Sequence, residues 1–289
     1  MADEQYWTEI IRPKKKILDL NLKELYKYKD LIFLFVKRDF VAVYKQTVLG
    51  PIWYLAQPLL TSLMLYFMFG KMAGLSTDGQ TPFLFYYSGV VAWSYFAQTL
   101  LKTSNTFVAN AGMFGKVYFP RLSVPFSLVL SNLIGFGIQF VFLLIFLVFF
   151  KLQGTANGIE NITFDWYIMF LFIDLLTMAM LGLGLGVMIS ALAVKYRDLI
   201  YFITFGIQLL MYATPVIIPM SQIPSKFKPI MKLNPMTPVI ENFRGIFLRS
   251  NSFYDSVPDV LWMFGLSFII MFLGLILFNK TEKNFMDTV

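Results

Sequence analysis

Six stretches of this chain carry no charged side chain, or only one: Gln46 to Gly70, Gly79 to Leu101, Leu122 to Phe150, Trp166 to Val194, Leu199 to Ser225 and Val260 to Asn279. Crossing a bilayer takes about 20 apolar residues at ~1.5 Å each, and all six are long enough, some with room for tilt. Hydrocarbon offers the backbone no water, so each stretch must satisfy its own N–H and C=O groups as a helix. The expected fold is all-α, a polytopic membrane protein with six transmembrane helices. Composition points the same way, with 57% hydrophobic and 14% charged residues against about 25% charged in a soluble domain.

The chain has no cysteine and no histidine. Disulfides, thiolate nucleophiles, the commonest metal ligand and the usual general base are thereby removed, and neither a metal site nor catalytic residues are expected. A membrane-embedded transferase would need clustered acids, whereas Glu241, Asp255 and Asp259 are scattered. A secondary carrier would need internal repeats, and the two halves show no similarity. The net charge of +7 does not argue for nucleic acid, because the bases sit in loops at membrane edges. Lys102, Lys116 and Arg121 fill the second loop without an acid, Lys195 and Arg197 lie in the fourth, and Lys280 and Lys283 in the tail. Basic residues of short loops stay inside, so both termini are expected in the cytoplasm.

Residues 1–45 read as a cytoplasmic arm ending in an interface helix. Asn21 with Glu24 resembles a capping box and starts a helix near Leu22. Leu22, Leu25, Ile32, Phe35 and Val36 give it an apolar side, with Lys23, Lys27, Lys29 and Asp30 largely opposite, so it should lie in the plane of the interface. It meets the first span at Leu49-Gly50-Pro51, where Gly permits a bend and Pro suits the first turn of a helix. Residues 46–289 form the spanning domain. Within the connection before the last span, residues 217–258, prolines at 219, 224, 229, 235, 238 and 258 interrupt apolar sequence. They predict short re-entrant helices in the outer leaflet, as a lid over a pathway or as a structural cap.

Polar residues within the spans fall on faces. Trp53, Gln57, Thr61 and Met64 share one on the first span, Tyr87, Ser94 and Gln98 on the second, Ser127, Ser131, Gly135 and Gln139 on the third, and Thr204, Gln208 and Tyr212 on the fifth. Each must meet a neighbouring helix, another subunit or a pathway, since polar groups left unpaired in hydrocarbon are costly. Gly182, Gly186 and Ser190, with Gly184 among them, form a small-xxx-small pattern for close helix packing. Gly112 to Val117 lacks the spacing and the hydroxyl of a phosphate-binding loop, so no ATP site of that kind is expected here. Asp174 is the ionisable residue deep inside a span, ~12 Å from Trp166 at helical rise. An intramembrane carboxylate of this kind serves as a relay or is held by hydrogen bonds, with Thr177, Tyr or Gln as candidate partners.

Six segments, in order, resemble the membrane subunit of ABC-2-type polysaccharide exporters, which include O-antigen, capsule and teichoic acid export permeases. They are RDFVAVYKQTVLGPIWYLAQPLL from Arg38, GKVYFPRLSVP from Gly115, KYRDL from Lys195, ATPVIIP from Ala213, LNPMTPVIENFRGIFL from Leu233 and EKNFMDTV from Glu282. The resemblance implies an inner-membrane homodimer driven by two copies of a separate nucleotide-binding subunit, with ATP and Mg on that partner and no cofactor on this chain. It implies a coupling loop at 102–121, with Gly115, Lys116, Tyr118, Phe119, Pro120 and Arg121 facing the ATPase. Arg38, Asp39, Arg197 and Asp198 would share that cytoplasmic face, and Leu49 and Gly50 the hinge. The cargo implied is a lipid-linked polysaccharide, with a drug or a small lipid as the alternative within the same superfamily. So large a cargo needs a continuous channel, lined by polar faces of the first and fifth spans. Sugar rings can rest on aromatic side chains, which makes Trp53, Tyr54, Tyr66, Tyr87, Trp93 and Tyr212, with Gln57, Thr61, Thr204 and Gln208, the candidate channel residues.

Overall fold

The computed structural model describes residues 22–45, 50–153, 168–248 and 252–285, which are helices and turns without a strand. The basic run near the N-terminus, the expected cap Asn21 and the hinge residue Leu49 lie outside these residues. In chain order the helices are α1 (Leu22–Lys27), α2 (Lys29–Lys45), α3 (Trp53–Leu65), α4 (Pro82–Ser104), α5 (Thr106–Phe114), α6 (Ser123–Leu152), α7 (Ile168–Ala193), α8 (Leu199–Tyr212), α9 (Lys228–Lys232), α10 (Met236–Leu248) and α11 (Ser252–Phe285).

Three of these are long and apolar enough to cross a membrane: Ser123–Leu152, Met169–Ala193 and Val257–Glu282. The other expected spans are built differently. Gly50 takes a positive φ of 51° at the head of a 3-10 turn, Gly50–Ile52, that leads into α3. This left-handed backbone is open to glycine without the clash that Cβ brings. Past Leu65, α3 continues as a π-helix, Tyr66–Met72. The fifth expected span, Leu199 to Ser225, stays helical only to Tyr212. Pro215 lacks an N–H and disfavours the helical conformation of the residue before it, so the chain leaves the helix in turns. At ~1.5 Å per residue α8 is about 21 Å long, shorter than a bilayer core of about 30 Å.

The bundle is organised around α4, which from Leu84 to Trp93 is buried on every side. Helices α3, α6, α7 and α10 pack around it, and α11 lies against the other side of α7. Close approach follows from side-chain size. A methyl group at Gly182 would fall 2.8 Å from the Thr99 side chain, and Thr103 Oγ1 donates to the Gly182 carbonyl at 3.1 Å. About two turns further along α7, Ser190 Oγ accepts the Phe107 N–H at 3.0 Å. On the opposite side Gly184 meets the backbone of α11 at Met271. The glycine pattern of α7 thus serves two interfaces.

A second apolar cluster closes the end of the bundle that carries the N-terminal helices. Phe35 of α2 packs edge-on against Phe119, and Phe107 stacks on Phe278 of α11 at 4.3 Å. At the other end lie the turn 73–81 and the segment 213–248.

Candidate functional site

Helices α3 and α8 each present a side that the described residues do not cover. On α3, Pro58, Ser62 and Leu65 are buried against the bundle, while Trp53, Gln57, Leu60, Met64 and Phe67 point outward. On α8 Ile207 alone is buried; Tyr201, Phe202, Thr204, Phe205, Gln208 and Tyr212 are exposed. The threonines add little polarity, because Thr61 Oγ1 donates to the Gln57 carbonyl at 2.9 Å and Thr204 Oγ1 to the Ile200 carbonyl at 2.7 Å. Gln57, Gln208 and the Tyr212 hydroxyl have no side-chain partner among the described residues and stay available to whatever meets this face. In hydrocarbon such groups demand water or a partner.

The remaining aromatic candidates face inward. Tyr87 is wholly buried and its hydroxyl donates to the Gln139 carbonyl at 3.1 Å. Ser94 donates to Gln139 Oε1 at 2.7 Å, and Gln139 Nε2 donates to the Tyr54 carbonyl at 3.0 Å. One glutamine on α6 therefore ties together α3 and α4. The Tyr54 ring lies over Gly135, where a methyl group would come within 2.7 Å of it. Trp93 is buried against Phe96. Tyr66 is half-buried, with the Lys71 ammonium over its ring. Burial gives Tyr87 and Trp93 a packing role in place of the channel-lining role expected of them. Of the polar faces, those of the second and third spans meet each other, and those of the first and fifth remain open.

Asp174 on α7 is fully buried and accepts a hydrogen bond from Asn242 Nδ2 at 2.8 Å. Its partner is neither Thr177, whose hydroxyl donates to the Ile173 carbonyl, nor a tyrosine or glutamine. Two residues beyond, the Arg244 guanidinium lies 3.6 Å from the Phe85 ring centroid, in a gap that requires Gly89, where a methyl group would sit 2.7 Å from Nη2. Thus α10 is anchored to α7 by one polar residue and to α4 by another. A third tie joins the turns at this end: Ser221 Oγ donates to the Asp78 carboxylate at 2.7 Å, and Gln222 Nε2 to the Ser76 carbonyl at 2.6 Å.

The opposite end holds the coupling candidates. Little of 102–121 is a loop, since α4 runs through Ser104 and α5 occupies Thr106–Phe114. Gly115, Lys116, Val117 and Tyr118 form an exposed turn, and the Tyr118 hydroxyl donates to Glu24 of α1 at 3.3 Å. Phe119 is buried beneath that turn, Pro120 half-buried. Arg121 Nη1 donates to the Glu282 carbonyl at 2.9 Å, and its guanidinium sits over the Phe114 ring. Burial holds the Arg121 pKa below its ordinary value, with the Glu282 charge pulling the other way. Arg38 and Asp39 pair with each other at 2.8 Å, and Arg197 and Asp198 are exposed. Gly50 is buried at the joint. No group of carboxylates that could hold a metal occurs among the described residues.

Long apolar helices, small-residue contacts and buried side-chain hydrogen bonds define an integral membrane protein in which α3 and α8 each expose polar and aromatic side chains. The ABC-2 type transporter family model matches residues 30–248, and the chain belongs to that family. It is similar to the O-antigen export system permease protein RfbA of Klebsiella pneumoniae, 29% identical over 259 residues that cover 89% of this chain and 94% of the relative. The protein of the same name from Myxococcus xanthus is 24% identical over 270 residues, covering 93% and 98%. The putative transport permease ycf38 of Cyanophora paradoxa is 26% identical, covering 88% and 89%. The chain is thus an integral membrane protein of the ABC-2 type transporter family.

Proposed function

We propose that this chain is the membrane subunit of an ATP-driven exporter that moves a lipid-linked polysaccharide, O-antigen foremost, out of the cytoplasm through a channel between two copies. The observation that carries this reading is the exposure of one side of α3 and one side of α8, where Trp53 and Gln57, and Gln208 and Tyr212, have no covering element of their own chain. Two copies closing these faces on each other would enclose a path with aromatic surfaces for sugar rings and amides for their hydroxyls. The names of the relatives favour O-antigen over other cargo.

ATP and Mg belong on a separate nucleotide-binding subunit, which docks on the exposed turn 115–118 and the nearby Arg38, Asp39, Arg197 and Asp198. In this reading the chain crosses the inner membrane six times with both termini in the cytoplasm, α8 and α3 completing their crossings with the turns that flank them. The test is to coexpress the chain with the ATPase encoded beside it and purify through one tag. Equal copies of the two, with two of each per particle, support the reading; a chain that purifies alone and transports alone overturns it.

A further inference from the structure

One side of α2 takes no part in the contacts described above. Phe35 plugs that helix into the second apolar cluster and is 7% exposed, whereas Phe33, about 160° away around the helix, is 63% exposed with Leu34 exposed beside it. Lys29 and Lys37 stand four residues to either side of Phe33. The three therefore follow one side of α2 for about 12 Å, an apolar ring between two exposed ammonium groups. Lys29 also lies over the ring of exposed Tyr26, 5.4 Å from its centroid.

The charges here are almost all of one sign. Lys23, Lys27, Lys29, Lys37 and Lys45 are exposed on α1 and α2, and none has an ion-pair partner among the described residues. Asp30 is the one exposed acid against them; Asp39 is held by Arg38, and Glu24 accepts from Tyr118. The Arg38–Asp39 pair is turned by about 120–140° from Phe33, so the basic and aromatic side is not the side assigned to the nucleotide-binding subunit. The level of the helix is set by the same cluster: Phe35 packs with Leu122 and Val124 at the start of α6, whose length and apolarity suit a membrane crossing. Thus α2 sits where that crossing ends.

We infer that this side of α2 rests on the bilayer surface and gathers anionic phospholipids, their phosphates on Lys29 and Lys37 and Phe33 between them at the acyl boundary. Lysine stems can lie along apolar surface while the ammonium groups stay among the headgroups, and the aromatic ring supplies the apolar insertion. A zwitterionic headgroup brings its own cation and leaves the lysine surplus uncompensated, whereas an anionic one offsets it. The site is independent of the cargo and stands whether or not the chain exports a polysaccharide.

The sequence has no cysteine, so Phe33→Cys takes a single nitroxide label whose apolar ring stands in for the phenyl group. The full chain is reconstituted in nanodiscs of phosphatidylcholine alone or with one third phosphatidylglycerol, and the label's access to a water-soluble nickel complex and to oxygen is measured by electron paramagnetic resonance. Each lysine near an anionic surface shifts such an equilibrium about fivefold. The two together should move the label by about 25-fold, from the nickel-accessible to the oxygen-accessible state, when phosphatidylglycerol is present. Lys29→Gln with Lys37→Gln should abolish that shift; both side chains are exposed and make no hydrogen bond, so the fold is retained. Lys226→Gln with Lys228→Gln, at the other end of the molecule, should preserve it. A label equally open to nickel with and without phosphatidylglycerol, a shift that survives loss of Lys29 and Lys37, or protection that appears only when the ATPase subunit is added overturns the inference.

Discussion

Replacing Gly184 by alanine should separate two helices that nothing else can separate so cheaply. The new methyl group would lie 2.6 Å from the Met271 Cα and 2.7 Å from its nitrogen, where ordinary contact begins at 3.4 Å. These are backbone atoms, so no rotamer change relieves the clash, and α7 and α11 must part by about 0.8 Å along their shared surface. Overpacking of this kind costs about 1–3 kcal/mol. Gly137 on α6 is the control, since a methyl group there meets nothing within 4 Å. Alanine at that position should gain roughly 0.5–1 kcal/mol through helix propensity. Both variants are purified in mild detergent and unfolded by titration with sodium dodecyl sulfate, followed by tryptophan fluorescence. Gly184→Ala should unfold earlier than the parent chain and Gly137→Ala at the same point or later. Coincident midpoints for the two variants would refute the close-packing argument for α7.

Three further outcomes are open to measurement. Asn242→Leu leaves the buried Asp174 carboxylate without its donor and should destabilise the chain by about 1–3 kcal/mol; Asp174→Asn in the same background should restore much of that, read by the same unfolding titration. The sequence has no cysteine, so Gln208→Cys introduces a unique thiol on α8. If two copies meet through that helix, mild oxidation should give a disulfide-linked dimer, and Val148→Cys, on an exposed side of α6, should give none. Tyr212→Ala should impair export of the glycan in a complementation assay while assembly with the ATPase subunit persists, because this side chain touches no structural neighbour that the coupling end requires; full export would exclude a stacking role.

What the sequence discloses follows the range over which each signal acts. The bend at Gly50 and the glycines of α7 are local or periodic features, and each is legible from residue type and spacing. Proline punctuation likewise reads directly as the turns and short helices between Met220 and Leu248. The end of α8 at Tyr212 is set by Pro215, whose effect is masked in the sequence by the uncharged apolar run on both sides of it. Partners are another matter. Asn242 lies 68 residues from Asp174, and nothing local marks it as the donor, although an arginine two residues on, amid FRGIF, hints that this segment enters protein rather than lipid. Tyr87 and Trp93 read from the sequence as pathway residues because polarity on a helix face does not say which neighbour the face meets. Their burial is decided by α6 and α10, elements contributed by distant parts of the chain.

Glycine contacts on both sides of α7 carry a mechanical consequence. Where backbones touch with no side chains between them, as α7 and α11 do at Gly184 and Met271, there is no layer of rotatable groups to absorb sliding, and between α7 and α4 only short threonine side chains intervene, so α4, α7 and α11 travel together as one stiff slab. Any reshaping of the molecule during a work cycle is then left to the parts outside that slab: α8, the π-helical tail of α3, and the tethered turns around Asp78 and Ser221.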